Sequence, residues 1–308
     1  MVDDGEALDS VRRHLSTLWP EFDWNAARYD RGAFHDVLII EAADVVARIS
    51  RSKFAADAAG ERNTLLRQIA NRVETFQTPV PIGEPERWSE RHVAVLHTFV
   101  PGQDAKDLSG DDSDEIRRVI DSFHDFCDVF QSTSVRSFCG AADFPGIVEH
   151  LIAPKMADEC ARRARLAIEQ LVAAEAEVIA QPIHGDLNSF NLRWADRKVV
   201  GVLDWDHAAM GDPAIDVAGI LTSIGTSAAA SIADAETLHR ASLHRATFPL
   251  QIAAAGLLHD DERLMGTGIR NFEQRCRDST LQWPADQVHL PHHHRPTAIG
   301  ADHSEAAD

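Results

Sequence analysis

The sequence is poor in several features that mark large classes of protein. Its 308 residues include only four cysteines, and none of them form a CxxC pair. We therefore expect reduced thiols in a cytosolic protein rather than a disulfide framework. Disorder throughout is excluded, because 44% of the residues are apolar and 26% are charged, as in ordinary globular proteins. No internal repeat is visible.

Lysine is also scarce. The chain has four lysines, and 30 basic residues stand against 49 acidic ones, which gives a net charge of −19. A nucleic-acid interface needs clustered cations to neutralise phosphates, so we expect no nucleic-acid partner. An acidic protein attracts cationic molecules instead.

Long apolar runs are absent as well. The first residues lack the basic end and apolar core of a signal peptide. The longest uncharged stretch, residues 217–233, is rich in glycine, serine, threonine and alanine, and is too short and polar to cross a bilayer. We expect no membrane association and a cytoplasmic location.

The first hundred residues contain strand patterns. β-Branched runs at 37–41 and 44–49 predict a hairpin, residues 57–73 predict a helix, and residues 93–100 predict another strand. Pro101-Gly102 ends this region.

Helical periodicity dominates after that dipeptide. Phe123, Phe126 and Phe130 recur at helical spacing and predict a buried stripe, with Asp112 and Glu115 as a capping box at the start of the helix. The chain therefore divides into three predicted segments: a strand-rich unit at 1–100, a larger helical unit at 101–283 and a disordered tail at 284–308. The tail contains His292–His294, for which we do not expect a metal site because no acidic or cysteine ligands lie nearby.

One stretch carries the residues of a catalytic centre. It reads PIHGDLNSFNL from Pro182, and the apolar run VVGVL then leads to Asp204. Asp186 follows a short apolar run and a glycine, and Asn191 lies five residues later. A carboxylate near a hydroxyl can accept its proton, and amide and carboxylate oxygens suit Mg²⁺. This H-x-D-x4-N spacing followed by an aspartate is typical of phosphoryl transfer. The alternative is a loop whose polar side chains only satisfy backbone groups.

These segments resemble the aminoglycoside phosphotransferase family. HGDLNSFNL and VLDWDHAAMGDPAIDVA carry the resemblance. RGAFHDV near residue 31 and ATFPLQIAA near residue 250 are similar to viomycin phosphotransferases, and DPAIDVA also occurs in macrolide phosphotransferases. The resemblance covers most of residues 1–280 and implies an α+β, two-lobed protein-kinase-like fold. It also implies a small strand-rich lobe for the nucleotide and a larger helical lobe for catalysis.

The resemblance implies a role for each residue of the motif. Asp186 corresponds to the catalytic base, and Asn191 and Asp204 correspond to the Mg²⁺ ligands. His184 corresponds to the histidine that supports the loop. Asp216 corresponds to an acid that holds the loop through backbone hydrogen bonds.

It also implies a nucleotide site for ATP or GTP in the first unit. The strand around Arg48 contains no lysine, so Arg48 stands where the family's cation falls, with Glu61 as its expected helix partner. His97 to Phe99 correspond to the linker whose backbone bonds the purine. The turn from Gly32 to His35 corresponds to the loop over the phosphates, although it has one glycine.

The expected function is a Mg²⁺-dependent O-phosphotransferase that acts on a small molecule, such as an aminoglycoside or a viomycin-like peptide, and gives antibiotic resistance. A macrolide or metabolic kinase and a non-catalytic nucleotide-binding protein remain alternatives. A metal hydrolase built on His184, Asp186, Asp204 and His207 is a weaker one, because the chain has no HExxH helix. For Asp206 the sequence leaves two options, a further carboxylate near the metal or an exposed residue.

Overall fold

A computed structural model describes residues 4–104, 110–130 and 143–282, and the predicted tail with its histidine run lies outside them. The chain begins with helix α1 (Asp4–Leu18). One side of the first sheet packs against this helix. Their shared core includes the buried residues Leu15, Trp24, Leu38, Ile49 and Leu96.

The first unit is a five-stranded antiparallel sheet. Its strands are β1 (Arg28–Arg31), β2 (His35–Ile40), β3 (Val45–Ser50), β4 (Pro81–Arg87) and β5 (Val93–His97). They lie in the order β1-β2-β3-β5-β4. Strands β2 and β3 pair in antiparallel register, which confirms the predicted hairpin.

Helix α2 (Lys53–Ala70) connects β3 to β4. It begins four residues before the predicted start at residue 57, because Ser52 Oγ accepts a hydrogen bond from the Ala55 N–H and caps the helix. The capping residue marks the first turn of the helix, whereas apolar periodicity indicates only the part of the helix that packs against the core. The helix packs against β4 and lies beside the site described below.

The predicted phenylalanine stripe is present and buried. It is spread over α3 (Ser113–Ser122), a 3₁₀ turn (Phe123–Phe126) and α4 (Cys127–Phe130). The three phenylalanine side chains lie in the largest apolar cluster, which also contains Leu187.

The predicted capping box is wrong. Asp112 makes no capping hydrogen bond to α3. Glu115 instead accepts hydrogen bonds from Arg118, at 2.6 and 3.0 Å, and from the Val199 N–H at 2.8 Å. A bidentate arginine and a strand-edge donor therefore outcompete the helix terminus for this carboxylate.

The rest of the described chain is mainly helical, with short strands. The helices are α5 (Phe144–Ile147), α6 (Asp158–Glu175), α7 (Ala214–Ile224), α8 (Ala229–Ile232), α9 (Ala235–Leu258) and α10 (Glu262–Arg277). The strands are β6 (Gln103–Asp104), β7 (Gln181–Ile183), β8 (Leu192–Ala195), β9 (Lys198–Val202) and β10 (Ala209–Gly211). This is the expected α+β architecture, with a strand-rich region followed by a helical one. Within the described ranges no helix has the length and apolar character to cross a membrane.

Candidate active site

The candidate catalytic loop runs from residue 184 to residue 191, between β7 and β8. Gly185 has a φ of +81°, and a Cβ atom at this position would lie 2.3 Å from the backbone oxygen of His207. Both the left-handed conformation and the close approach require glycine. The turn therefore brings residue 186 out of the sheet toward the segment that contains Asp204.

His184 connects the loop to the end of β9 through hydrogen bonds of its ring. Its Nε2 lies 2.7 Å from the Leu203 carbonyl oxygen, and its Nδ1 accepts a 3.3 Å hydrogen bond from the Asp186 N–H. Burial lowers the pKa of His184 to about 4, so the ring is neutral and Nε2 carries the proton. Because both ring nitrogens bond to the backbone, His184 is not available as a metal ligand, which disfavours the hydrolase alternative.

Asp216, at the start of α7, holds the beginning of the loop. Its two carboxylate oxygens accept hydrogen bonds from the backbone N–H groups of His184 at 2.7 Å and Gly185 at 2.8 Å. Burial raises the pKa of Asp216 to about 6, and these backbone donors favour the charged form and oppose that rise. The contacts implied for this residue by the sequence resemblance are present.

The Asp186 carboxylate is fixed by two amides. Asn191 Nδ2 donates to Asp186 Oδ2 at 3.1 Å and to the Asp186 carbonyl at 2.8 Å, and Asn188 Nδ2 donates to Oδ1 at 3.0 Å. Asp186 is exposed to solvent on one side. Protein atoms around its carboxyl group nevertheless displace part of the surrounding water. This desolvation, together with the charge of Asp204, raises the pKa of Asp186 to about 7.

Asp204 follows β9 and adopts a left-handed conformation with φ 59° and ψ 59°. Its side chain is 44% exposed, and one oxygen, Oδ1, accepts a hydrogen bond from Arg48. The other oxygen and Asn191 Oδ1 lie outside the hydrogen bonds described, and both are hard ligands of the kind that Mg²⁺ prefers. The adjacent charges of Asp186 and Asp204 would be relieved by a cation, so these residues fit a magnesium site.

The contact of Gly219 in α7 with the loop was not predicted. Gly219 of α7 lies against the Leu187 backbone, and a Cβ atom there would be 2.3 Å from the Leu187 oxygen. A small residue on a helix face is a weak signal that sequence reasoning could have used. The contact holds α7 directly against the loop backbone.

Arg48 of β3 lies at the centre of a second group of charges. Its Nη1 donates to Asp206 Oδ1 at 3.1 Å, and its Nη2 donates to Asp206 Oδ2 at 2.8 Å and to Asp204 Oδ1 at 2.9 Å. Burial of Arg48 opposes its charged form, but the two carboxylates outweigh burial and raise its pKa. The positive charges of Arg48 and of Arg62, on α2, hold the pKa of Asp206 well below its ordinary value despite burial. Asp206 is therefore a buried ion-pair partner rather than an exposed residue.

Two further side chains complete this group, which we call the cleft cation cluster (His35, Arg48, Arg62, Asp204 and Asp206). His35 Nδ1 accepts a hydrogen bond from Arg48 Nη2 at 3.2 Å, and burial and Arg48 lower the His35 pKa to about 3. Arg62 Nη1 of α2 lies 3.7 Å from Asp206 Oδ2. Sequence reasoning missed Arg62.

The other residues expected at the nucleotide site make no hydrogen bond to Arg48 among those described. Glu61 is exposed on α2, whereas Arg48 bonds to Asp204 and Asp206. His97 is buried at the end of β5, its Nε2 has no hydrogen-bond partner within the described chain, and burial lowers its pKa to about 3. The Phe99 N–H, expected to face the purine, donates to Asp44 Oδ1 at 3.1 Å.

The turn between β1 and β2 contacts the helical region. The Phe34 ring stacks on His259, at the end of α9, with centroids 3.9 Å apart. Ser52 Oγ lies 2.7 Å from His259 Nδ1. The expected phosphate loop is thus tied to the second unit beside the cleft cation cluster.

A separate buried ion cluster lies between α6, α7 and α9. His244 Nε2 is 3.2 Å from Glu175 Oε1 and 3.5 Å from Asp212 Oδ2, an arrangement that could hold a metal ion. Arg240 Nε donates to the same Asp212 oxygen at 2.9 Å. Because the guanidinium group already supplies the positive charge, we interpret this cluster as structural.

The chain is similar to phosphotransferases in sequence and in structure. The chain is 27% identical over 288 residues to viomycin phosphotransferase from Streptomyces vinaceus, covering 86% of this chain and 99% of that protein. Its structure is similar to the GDP complex of wild-type aminoglycoside 2'-phosphotransferase-IIIa, with a TM-score of 0.67, 17% identity and coverage of 88% and 98% of the two chains. A macrolide 2'-phosphotransferase from Brachybacterium faecium gives a TM-score of 0.63, with 16% identity and coverage of 87% and 98%.

The family assignment rests on a larger part of the sequence than the motifs alone. The model of the phosphotransferase enzyme family (APH) matches residues 26–249, which include the sheet, α2, the catalytic loop and most of α9. The structural neighbours share the same kinase-like fold. The chain therefore belongs to the phosphotransferase enzyme family and is an enzyme of the kinase type.

Proposed function

We propose that the chain transfers the γ-phosphate of ATP or GTP, in the presence of Mg²⁺, to a hydroxyl group of a small cationic antibiotic. The observation that carries the proposal is the Asp186 carboxylate, which Asn188 and Asn191 hold beside Asp204. The GDP bound to the structural neighbour supports a nucleotide donor. Transfer would inactivate the antibiotic and give resistance.

In this reaction the acceptor hydroxyl oxygen bonds to the γ-phosphorus while the bond from that phosphorus to the bridging oxygen breaks. Asp186 accepts the hydroxyl proton, and nucleoside diphosphate leaves. Asn191 and Asp204 would hold Mg²⁺, which supplies charge neutralisation on the phosphate oxygens. Arg48, beside Asp204, contributes a second positive charge.

A viomycin-like peptide is the first acceptor to test, and aminoglycosides are the next. The relative that covers 86% of this chain is a viomycin phosphotransferase. The net charge of −19 favours the approach of cationic molecules over nucleic acid. The low cysteine content agrees with action in the cytoplasm.

The test is a nucleotide-consumption assay with Mg²⁺, with ATP and GTP run against viomycin, capreomycin, aminoglycosides and macrolides. Mass spectrometry then detects a phosphorylated acceptor. We expect acceptor-dependent consumption that is lost in Asp186→Asn. Phosphorylation of a macrolide only would overturn the acceptor class, and nucleotide binding with no transfer to any acceptor would favour a metabolic acceptor or a binding protein.

A further inference from the structure

Helix α2 contributes an arginine, rather than the expected glutamate, to the cleft cation cluster. Arg62 precedes Leu66 by four residues and Ile69 by seven, so it shares the buried face of the helix with them. Its side chain is 11% exposed, while that of its neighbour Glu61 faces solvent. The helix therefore adds a positive charge to the site.

Arg62 has donors that the protein does not use. Its contact with Asp206 is 3.7 Å, longer than a hydrogen bond, whereas Arg48 makes two hydrogen bonds to that carboxylate. Arg62 Nε is buried and has no acceptor among the described residues. An arginine has five N–H donors, and leaving them unbonded away from water is unfavourable. The arrangement calls for a further anion.

The charges around Arg62 point to the kind of anion. Burial keeps the nearby rings of His35 and His259 neutral, with pKa values of about 3 and about 4. Two arginines therefore face Asp204 and Asp206. If Asp204 is engaged by a divalent cation, the remaining groups carry an excess of positive charge. A planar guanidinium group matches the paired oxygens of a phosphate.

We propose that Arg62 binds the terminal phosphates of the nucleoside triphosphate, and that Asp206 is a positioning residue that keeps Arg48 and Arg62 side by side. This inference rests on the proposed function, because it takes the bound anion to be the phosphate donor. It gives α2 a cationic role in place of the carboxylate expected from the sequence.

The test compares the wild type with Arg62→Gln, Arg62→Lys and Arg67→Gln by calorimetric titration with ATP and GTP in Mg²⁺. Arg67→Gln is the matched control, because it removes the same charge from an exposed position of the same helix, where Arg67 pairs with Glu84. Adenosine and guanosine, which lack phosphates, are measured by competition. Thermal unfolding of each variant reports on folding.

For Arg62→Gln we expect roughly 10- to 100-fold weaker binding of the triphosphate with unchanged binding of the nucleoside. Arg62→Lys retains the charge and should recover part of the affinity. In turnover, the KM for nucleotide should rise in Arg62→Gln, while the KM for the acceptor stays constant. Arg67→Gln should behave as the wild type.

Other outcomes separate the two proposals. If the wild type binds neither ATP nor GTP, the proposed function fails and this inference fails with it. If the wild type binds triphosphate and both folded Arg62 variants bind it equally well, only the role of Arg62 is overturned. A variant that loses nucleoside and triphosphate affinity in equal measure, with a lower Tm, shows that Arg62 is structural and also overturns the inference. If Arg62→Gln does not fold, Arg62→Lys carries the test: weaker triphosphate binding with unchanged nucleoside binding supports the inference, and wild-type triphosphate affinity in this variant overturns it.

Discussion

The catalytic loop and the cleft cation cluster are adjacent, yet they are built in different ways. In the loop, Asp186 bonds to His184 and Asn191, which lie two and five positions away, although His184 also bonds to Leu203 and Asp216. In the cluster, Arg48 bonds to Asp206, which is 158 positions away in sequence. The bonds within the loop are therefore local, and α7 and the segment after β9 hold it in place. The cluster exists only when the sheet, α2 and the segment after β9 meet.

The two regions also differ in how completely their polar groups are paired. Both nitrogens of His184, both oxygens of Asp186 and both oxygens of Asp216 take part in hydrogen bonds. The cluster instead retains the unbonded donor of Arg62. We take this to mean that the loop is preorganised for chemistry, while the cluster is organised to receive an anion.

The largest effect should come from Asp186→Asn in the loop. The variant keeps the size of the side chain but cannot accept a proton, so kcat should fall by about 10²- to 10⁴-fold. The affinity for nucleotide should stay close to that of the wild type. Steady-state kinetics with the identified acceptor and calorimetry with nucleotide measure the two quantities. Retained turnover would remove Asp186 from its assigned role.

The next effect should come from Arg48→Gln in the cluster. Because Arg48 and Asp206 are 17% and 12% exposed, loss of the guanidinium group leaves a carboxylate poorly neutralised away from water. We expect the free energy of unfolding to fall by about 3 kcal/mol. Urea denaturation measures it, with Arg48→Lys as the control that keeps the charge. Equal stability of Arg48→Gln and the wild type would contradict the structure of the cluster.

A smaller effect on stability should come from the ion cluster around His244. This cluster lies outside both regions of the site, so it provides a comparison for them. Burial lowers the pKa of His244, but Asp212 and Glu175 outweigh burial and raise it above its ordinary value. The stabilisation from protonated His244 is complete below the unfolded pKa of about 6.5 and is lost as the pH rises through the folded-state value. As the pH rises above about 6.5, the wild type should therefore lose stability relative to His244→Gln. A stability difference between the two proteins that does not change with pH would show that folding does not raise the pKa of His244.

The smallest effect should come from Glu61→Gln. Glu61 is exposed, and exposed substitutions usually change stability by less than about 0.5 kcal/mol. The KM for nucleotide should change by less than about twofold. Steady-state kinetics beside Arg62→Gln provides the comparison. A large increase in KM for Glu61→Gln would restore the helix partner that the sequence predicted for Arg48.

Much of the fold could be predicted, because it depends on patterns that act over short distances. Alternating β-branched residues indicated the hairpin of β2 and β3, and helical spacing indicated the buried phenylalanine stripe. The start of α2 and the capping of α3 were predicted less well. In both cases side-chain hydrogen bonds decide the outcome. Ser52 Oγ accepts one from the Ala55 N–H, and the Glu115 carboxylate accepts two from Arg118 and one from the Val199 N–H.

For the site, the sequence by itself determined which groups the catalytic loop contains. Gly185 must be a glycine in this turn, and His184, Asp186 and Asn191 lie within eight residues, so their bonds follow from the local chain path. Asp216 reaches the loop only because α7 packs beside it, and the resemblance to the family implied this contact.

Only the tertiary structure decided the partners of the charged residues on the nucleotide side. Arg48 had two possible kinds of partner, a glutamate on the next helix or a carboxylate far away in sequence, and spacing along the chain does not distinguish them. The helical phase of α2 turns Glu61 toward solvent and Arg62 inward, and the left-handed turn at Asp204 brings Asp206 to both arginines. Charge pairing depends on distance in space, and that distance is set when the separate elements pack.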